Sequence, residues 1–339
     1  AEREAETGWV RQSDPGGRSL FNVTDDGRAY VGTSRGMVFL EPSPGVEPLG
    51  SHGPYEGLEH ELTTPLIDGS VGLIRNVRGD LLAVDLDDDS VLWRTVDHMP
   101  VLVGDPGDRV AVMQRNTLEP ALLARDLLSG EVLWTIEATE EMPPILEDVS
   151  GSRICGSSNG ELAVFDADLP GLLWRVEHDL MEPIQCAFQQ DGVVVLGTPD
   201  GEGGGTVLRF DLDGNATARV EWPHDVAPTT LVVRSDGVVI VSSDRAMERY
   251  SSGLELLDSH DDRAVLGVDP VTGNMYLSTR GPHTLTDADF HPIWNGGVGV
   301  PRDNYAFIGA QVVGERVYWT DRQSGVLGTN RWTRYVQLR

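Results

Sequence analysis

Short runs of alternating apolar and polar residues fill this chain, and turn residues divide them at intervals that suit strands rather than helices. Residues 183–222 show the pattern: PIQCAF, VVVLGT, TVLRFDL and ATARVEW are four strand-like runs, separated by QQDG, PDGEGGG and DGN. Period-two alternation bounded by Gly, Asp and Asn predicts four antiparallel strands, here lettered a to d, joined by tight connections. The Asp-Gly pairs at 191–192 and 236–237 predict hairpins whose central residues both take positive φ, because the primed turns that match strand twist require it.

This four-run unit recurs about every forty residues, the self-similarity expected of a solenoid or propeller. AVDLDDDSVLWRTV at 83–96, ARDLLSGEVLWTIE at 124–137 and AVFDADLPGLLWRVE at 163–177 place Trp93, Trp134 and Trp174 in register, and a degraded copy ends at Trp222. The end of strand c falls at Glu41, Asp85, Asp126, Asp166, Asp211, Ser251, Thr286 and Thr329. An independent marker, the a–b turn, falls at Gly27, Gly69, Gly107, Gly151, Gly192, Gly237, Gly273 and Gly314. Both markers predict an all-β, eight-bladed β-propeller of four-stranded antiparallel blades, a single domain over 1–339. A seven-bladed ring is the fallback if the short unit around Thr286 forms no blade. The last repeat, GAQVVGERVYWTDRQSGVLGTNRWTRYVQLR, is expected to carry its own four strands, so that ring closure needs only a short N-terminal piece such as GWVRQ at 8–12. Closure itself is required because an open array leaves sheet edges unpaired.

Strand a opens on a proline phrase: TTPLID at 63–68, HMPVLV at 98–103, MPPILE at 142–147, MEPIQC at 181–186 and VAPTTLVV at 226–233. Proline is tolerated at the first residue of a strand, where its missing N–H costs no ladder bond. These phrases predict crossing loops from the outer strand of one blade to the inner strand of the next, gathered around one mouth of the ring. Thr64, Met99, Met142, Met181 and Glu182 are the exposed loop candidates for binding a protein partner, and methionine suits adaptable packing there.

Composition narrows the partners. The 54 acids against 26 bases give a formal charge of −28, and every base is arginine, since the chain has no lysine. Such a surface repels nucleic acid and anionic lipid, while a basic protein, a cationic ligand or a metal is acceptable. Dispersed acids also keep an all-β surface soluble, and halophilic or GC-rich ancestry produces the same bias. No apolar run approaches the ~20 residues of a membrane-spanning helix. Cys155 and Cys186 fall in expected strands of adjacent repeats and read as small buried thiols, with a disulfide as the alternative in an exported protein. The start AEREAETGW fits a processed or trimmed N-terminus, hence export; a propeller cut from a larger secreted or lipid-anchored protein has the same sequence.

The succession x-x-Pro-aliphatic, Asp-Gly, Val-Gly-Ser/Thr, Gly-x-Leu-x-Ala-x-Asp and Gly-x-x-Leu-Trp-Arg resembles the pyrroloquinoline-quinone-type propeller repeat. The clearest copies are SRICGSSNGELAVFDADLPGLLWRVE at 152–177 and GSVGLIRNVRGDLLAVDLDDDSVLWRTV at 69–96. The resemblance implies that Trp93, Trp134 and Trp174 dock on neighbouring blades. It does not imply quinone catalysis: the large quinoprotein dehydrogenases of this type carry adjacent cysteines over the cofactor ring, whereas Cys155 and Cys186 are far apart, and the chain is too short for their catalytic insertions. The cofactor-free members, such as the propeller lipoproteins of the outer-membrane barrel-assembly machinery, are similar in blade number and length. They imply a non-enzymatic, extracytoplasmic scaffold that docks a partner through loops at one mouth and needs no cofactor.

The remaining polar motifs read more simply as turns and connectors. DLDDDS at 85–90 and DLDGN at 211–215 offer alternate oxygens, but Val96 and Trp222 stand where a calcium loop has its bidentate glutamate, so both read as c–d hairpin turns. GEGGGT at 201–206 lies between strands and is a connector, not a phosphate cradle. His52, His98, His178, His224 and His260 are expected just after strand d in five blades, flanked by Asp97, Glu177, Asp179, Asp225, Asp261 and Asp262. His98, His178 and His224 are the candidates for a metal- or ligand-dependent activity in the channel. A solvated polar rim is the competing reading, because outer strands hold them far apart and no HxH or HExxH pair chelates locally.

Overall fold

The computed structural model describes residues 5–12, 21–24, 28–32, 37–40, 50–56, 65–76, 80–96, 98–103, 110–115, 121–137, 145–158, 160–168, 171–199, 204–269, 271–279, 283–295, 305–313, 316–325 and 328–338. Among them there is no helix, and the strands form eight four-stranded antiparallel sheets. Seven sheets use four consecutive strands. The fifth, for example, runs Glu182–Gln189, Gly192–Thr198, Gly205–Asp211 and Ala216–Trp222 from inner to outer edge. The short unit around Thr286 is also a full sheet, made by Arg263–Val268, Met275–Thr279, Thr284–Thr286 and Pro292–Asn295.

The eighth sheet departs from the expectation. The C-terminal repeat supplies three strands, Tyr305–Val313, Arg316–Gly325 and Gly328–Leu338, and the N-terminal strand Ala5–Gln12 is the fourth and outermost. Thr329 therefore stands near the start of strand c, not at its end. No turn residue breaks the run after Asn330, so it stays paired from Gly325↔Gly328 to Arg316↔Gln337. The outer place is left to the N-terminus, which pairs from Ala5↔Leu338 to Gln12↔Arg331. Two ends of the chain thus share one sheet, and its inner strand touches the Phe21–Val23 strand of the first sheet.

The core lies between sheets. Strand b of the fifth sheet is buried along its whole length, and its residues join neighbours from the fourth: Cys155, Leu162 and Val164 pack with Phe188, Val195 and Phe210. Each fully buried Val or Leu of this kind contributes about 1.5–3 kcal/mol. Cys155 and Cys186, expected as thiols, form a disulfide between these two sheets, with Cα atoms 6.5 Å apart. Only the packing of one blade on the next brings them within bonding reach.

The turns follow the sequence in part: at neither Asp-Gly pair do both central residues take positive φ, since Asp191 and Asp236 do not, and the markers Gly27, Gly107 and Gly314 lie outside the described residues. Gly69 and Gly151 take φ of 57° and 58° in two-residue a–b hairpins, and Gly237 takes 84°. Gly192 does not sit at positive φ; it is already in strand b, paired with Gln189, and is glycine because a Cβ there would run into the Phe210 carbonyl oxygen.

Outer strands reach onto the following blade. Trp93 Nε1 donates to Leu127 O and Trp134 Nε1 to Ala167 O, each at 2.8 Å, so each indole sits on the next c–d turn. In six sheets strand d carries a β-bulge at one common register, for instance between Ala124/Arg125 and between Val164/Phe165. The bulge adds twist to the outer strand and re-aims its side chains toward the neighbour.

Candidate functional site

In an up-and-down sheet the a–b and c–d turns emerge at one end, and the b–c turns and d–a crossings at the other. The crossing-loop end is where the sequence places its candidates. The best described crossing, from the fourth to the fifth blade, is rigidly held: His178 N donates to Gly160 O (2.8 Å), Gly160 N to Leu180 O (2.8 Å) and Met181 N to Thr198 O (2.9 Å). Leu180 is fully buried beneath the loop, and Met181 is left 53% exposed above it. Leu180 N also donates to His178 Nδ1 at 3.2 Å, and burial pushes the His178 imidazole below its ordinary pKa. Asp179 accepts two hydrogen bonds from Arg219 Nη1, at 2.8 and 2.6 Å, which hold its carboxyl below the usual range. Arg219 Nε continues to Glu221, which accepts from Thr206 Oγ1 at 2.6 Å, so the crossing is tied to the outer strand of the next blade.

The next crossing carries a denser cluster. His224 lies at ion-pair distance from two carboxylates, Nε2 to Glu248 Oε1 and Nδ1 to Asp261 Oδ1 at 3.3 Å each, with its ring edge-on to Trp222 at 4.5 Å. Glu248 is 2% exposed and accepts from Tyr250 Oη and from Ser259 Oγ. Burial, with Glu248 as a second cause, pushes the Tyr250 phenol far up. Two hydrogen bonds and a neighbouring imidazole hold this buried carboxylate in place, the arrangement of a structural strut. Trp222, a degraded copy of the tryptophan motif, turns back on its own crossing, where Nε1 donates to Val226 O at 2.8 Å.

Several expected loop residues lie elsewhere. His98 and Met99 open the inner strand His98–Val103, opposite Arg115 and Gln114, and Glu182 opens Glu182–Gln189, opposite Thr198. They are strand residues because the ladder continues through the proline on its N-terminal side, as Pro100↔Met113 shows. Thr64 and Met142 lie outside the described residues. His52 ends the outer strand of the first sheet and bonds Asp89 of the next c–d turn, Nδ1 to Oδ1 at 2.7 Å. His260 packs edge-on against Phe290 at 4.8 Å. Of the proposed metal candidates, His178 and His224 sit in separate crossings, and among the described residues no group of three or more His, Cys, Asp or Glu is placed to hold a metal ion. DLDDDS and DLDGN are c–d turns closed on themselves, with Asp87 N donating to Asp85 Oδ1 (2.8 Å) and Asn215 N to Asp211 Oδ1 (2.8 Å).

One functional-looking pair escaped the sequence reading. Glu147 and Asp148, on the inner strand Ile145–Ser150, reach across to the fifth blade: Glu147 accepts from Ser157 Oγ at 2.7 Å and from Cys186 N, and Asp148 from Phe188 N at 2.8 Å. Burial pushes both carboxyls above their ordinary values. Gln185 Oε1 repeats the device one blade on, accepting from Leu231 N at 2.6 Å. The available signal was LEDV at a position where other inner strands carry uncharged residues, PIQC and TTLV.

These features define a β-propeller of pyrroloquinoline-quinone-like repeats, with a WD40-like architecture. The family model described as outer membrane protein assembly factor BamB matches residues 77–203 and 122–334, and the chain belongs to that family. Among solved structures, BamB from Moraxella catarrhalis is similar at 17% identity and TM-score 0.64, over 98% of this chain and 96% of that one. The C-terminal WD40 domain of Sif2 is similar at 13% identity and TM-score 0.68, covering 98% of each chain. The computationally designed Ika8 protein is similar at 13% identity and TM-score 0.68, over 95% of this chain and 98% of that one. No curated protein matches.

Proposed function

We propose that this chain is a non-enzymatic propeller scaffold, acting as one domain, that binds a protein partner through the crossing loops at one mouth of the ring, within an extracytoplasmic assembly at the outer membrane. Membership of the BamB family, whose description is that of an outer membrane protein assembly factor, carries this reading. The crossing that presents Met181 supports it physically. A loop already fixed by backbone bonds loses little entropy on binding, and an exposed thioether adapts to a partner surface. The Cys155–Cys186 disulfide supports an oxidising compartment, and it occupies both cysteines in a bridge between blades. The charge of −28 argues against nucleic acid and anionic lipid as partners.

The test is a pull-down from solubilised outer-membrane fractions, with captured proteins identified by mass spectrometry. The unsubstituted chain is expected to capture a component of outer-membrane protein assembly. Met181→Asp is expected to abolish capture while Tm stays within a few degrees, because an exposed position contributes little to folding. Undiminished capture by that variant overturns docking at the mouth.

A further inference from the structure

The opposite end of the outer strands carries a second, apolar surface. In the third to fifth blades Leu128, Val132, Leu133, Leu172, Leu173 and Leu212 are all exposed, Leu128 by 61%, Leu133 by 51% and Leu173 by 46%. They belong to c–d turns or to the first residues of strand d, the outer edge of each sheet. Leu133 and Leu173 are the residues that the bulges leave without a partner in strand c. The docked tryptophans link the outer strand of one blade to the c–d turn of the next. Trp134 bonds Ala167 of the turn that leads to Leu172, and Trp174 lies on Gly214, two residues from Leu212. Six half-exposed aliphatic side chains present an apolar area on the order of a few hundred Å², the size that marks interaction sites.

Charge selects the occupant. Each of these turns exposes an acid beside its apolar residues, namely Glu131, Asp168 and Asp213. The neighbouring Arg125 is directed back into the turn, where Nη1 donates to Gly130 O at 2.6 Å. A second copy of the chain would set acid against acid, and an anionic membrane is repelled. We propose that this outer rim docks a basic segment of a partner protein that carries apolar side chains. The surface is separate from the mouth, and the inference stands on the exposed leucines and the charge of the rim alone.

Three labelled peptides of equal length serve as probes, combining Arg with Leu, Arg with Ser, and Glu with Leu, and binding is read by fluorescence anisotropy at 0.15 M salt. Only the Arg/Leu peptide is expected to bind well. Leu133→Ser with Leu173→Ser should weaken it at least tenfold with no loss of Tm, Glu131→Arg with Asp168→Arg should do the same, and Met181→Asp should leave it unchanged. Equal binding of the Arg/Ser or Glu/Leu peptide overturns the proposal, as does unaltered affinity in either rim variant. Loss on Met181→Asp alone also overturns it while leaving the mouth reading intact.

Discussion

The indole of Trp174 occupies the space that a side chain on Gly214 would need: a Cβ there would lie 3.0 Å from Trp174 Cε3 and 3.1 Å from Cδ2. Gly130 meets Trp93 more closely still, at 2.7 Å from its Cβ. Where strand d has no tryptophan at this register, the turn supplies the bulk. Ala218 faces Arg209 at the register where Trp174 faces Val164, and Leu254 of the next turn fills that cluster. One blade on, Asp258 takes the place, and Phe290 comes up beneath Arg249, 4.1 Å from ring centroid to guanidinium carbon. Gly214, Leu254 and Phe290 share one turn geometry, with φ of 82°, 63° and 64°. A single volume between adjacent blades is filled from whichever side carries the larger residue.

That complementarity predicts a coupling. Gly214→Leu should cost about 2–3 kcal/mol by overpacking against Trp174, and Trp174→Ala about 2–4 kcal/mol by leaving a cavity. The double variant should be destabilised by less than the sum, with a coupling above ~1 kcal/mol in chemical denaturation. Strictly additive costs would mean that the two residues do not share the space.

The disulfide is expected to be a main fastener of the fourth and fifth blades. Cys155→Ala with Cys186→Ala should lower the unfolding free energy by about 3–4 kcal/mol, the loop-closure effect for a separation of 31 residues. Thiol titration of the unfolded, unreduced protein should find no free cysteine. A loss under ~1 kcal/mol, or two titratable thiols, would show the bridge to be absent in solution.

The sign of one pH dependence follows from Glu147. Its folded carboxyl is raised, mainly by burial, above the ordinary value of 4.5, so between that value and the raised one the folded state binds more protons than the unfolded state. Its contribution to stability is full below about 4.5 and declines as pH climbs through the window. Glu147→Gln removes that decline, so the stability difference between the variant and the unsubstituted protein should shift in the variant's favour as pH rises from 4 to 7. Asp126 and Asp211, lowered by turn hydrogen bonds, act in the opposite sense below pH 4 and cancel in the comparison. A difference independent of pH would mean that Glu147 is solvated.

The repeat was legible from sequence because its signals are local. Alternation sets strands, Gly69 and Gly151 set hairpins, and recurring tryptophans set the unit, all within one blade's length. What joins one blade to another was not local, and only the tertiary structure decided it. Cys155 meets Cys186, Glu147 reaches Cys186 N, and Leu254 replaces a tryptophan through ring packing that no spacing rule encodes. The same reason moved the last outer strand to the N-terminus: strand propensity fixes that residues 5–12 extend, but only the free edge beside Gly328–Leu338 fixes where they pair. The candidate face divides likewise, for the proline phrases locate the crossings, while backbone pairing decides that Met181 stands outside the strand and that Met99 and Glu182 lie within it.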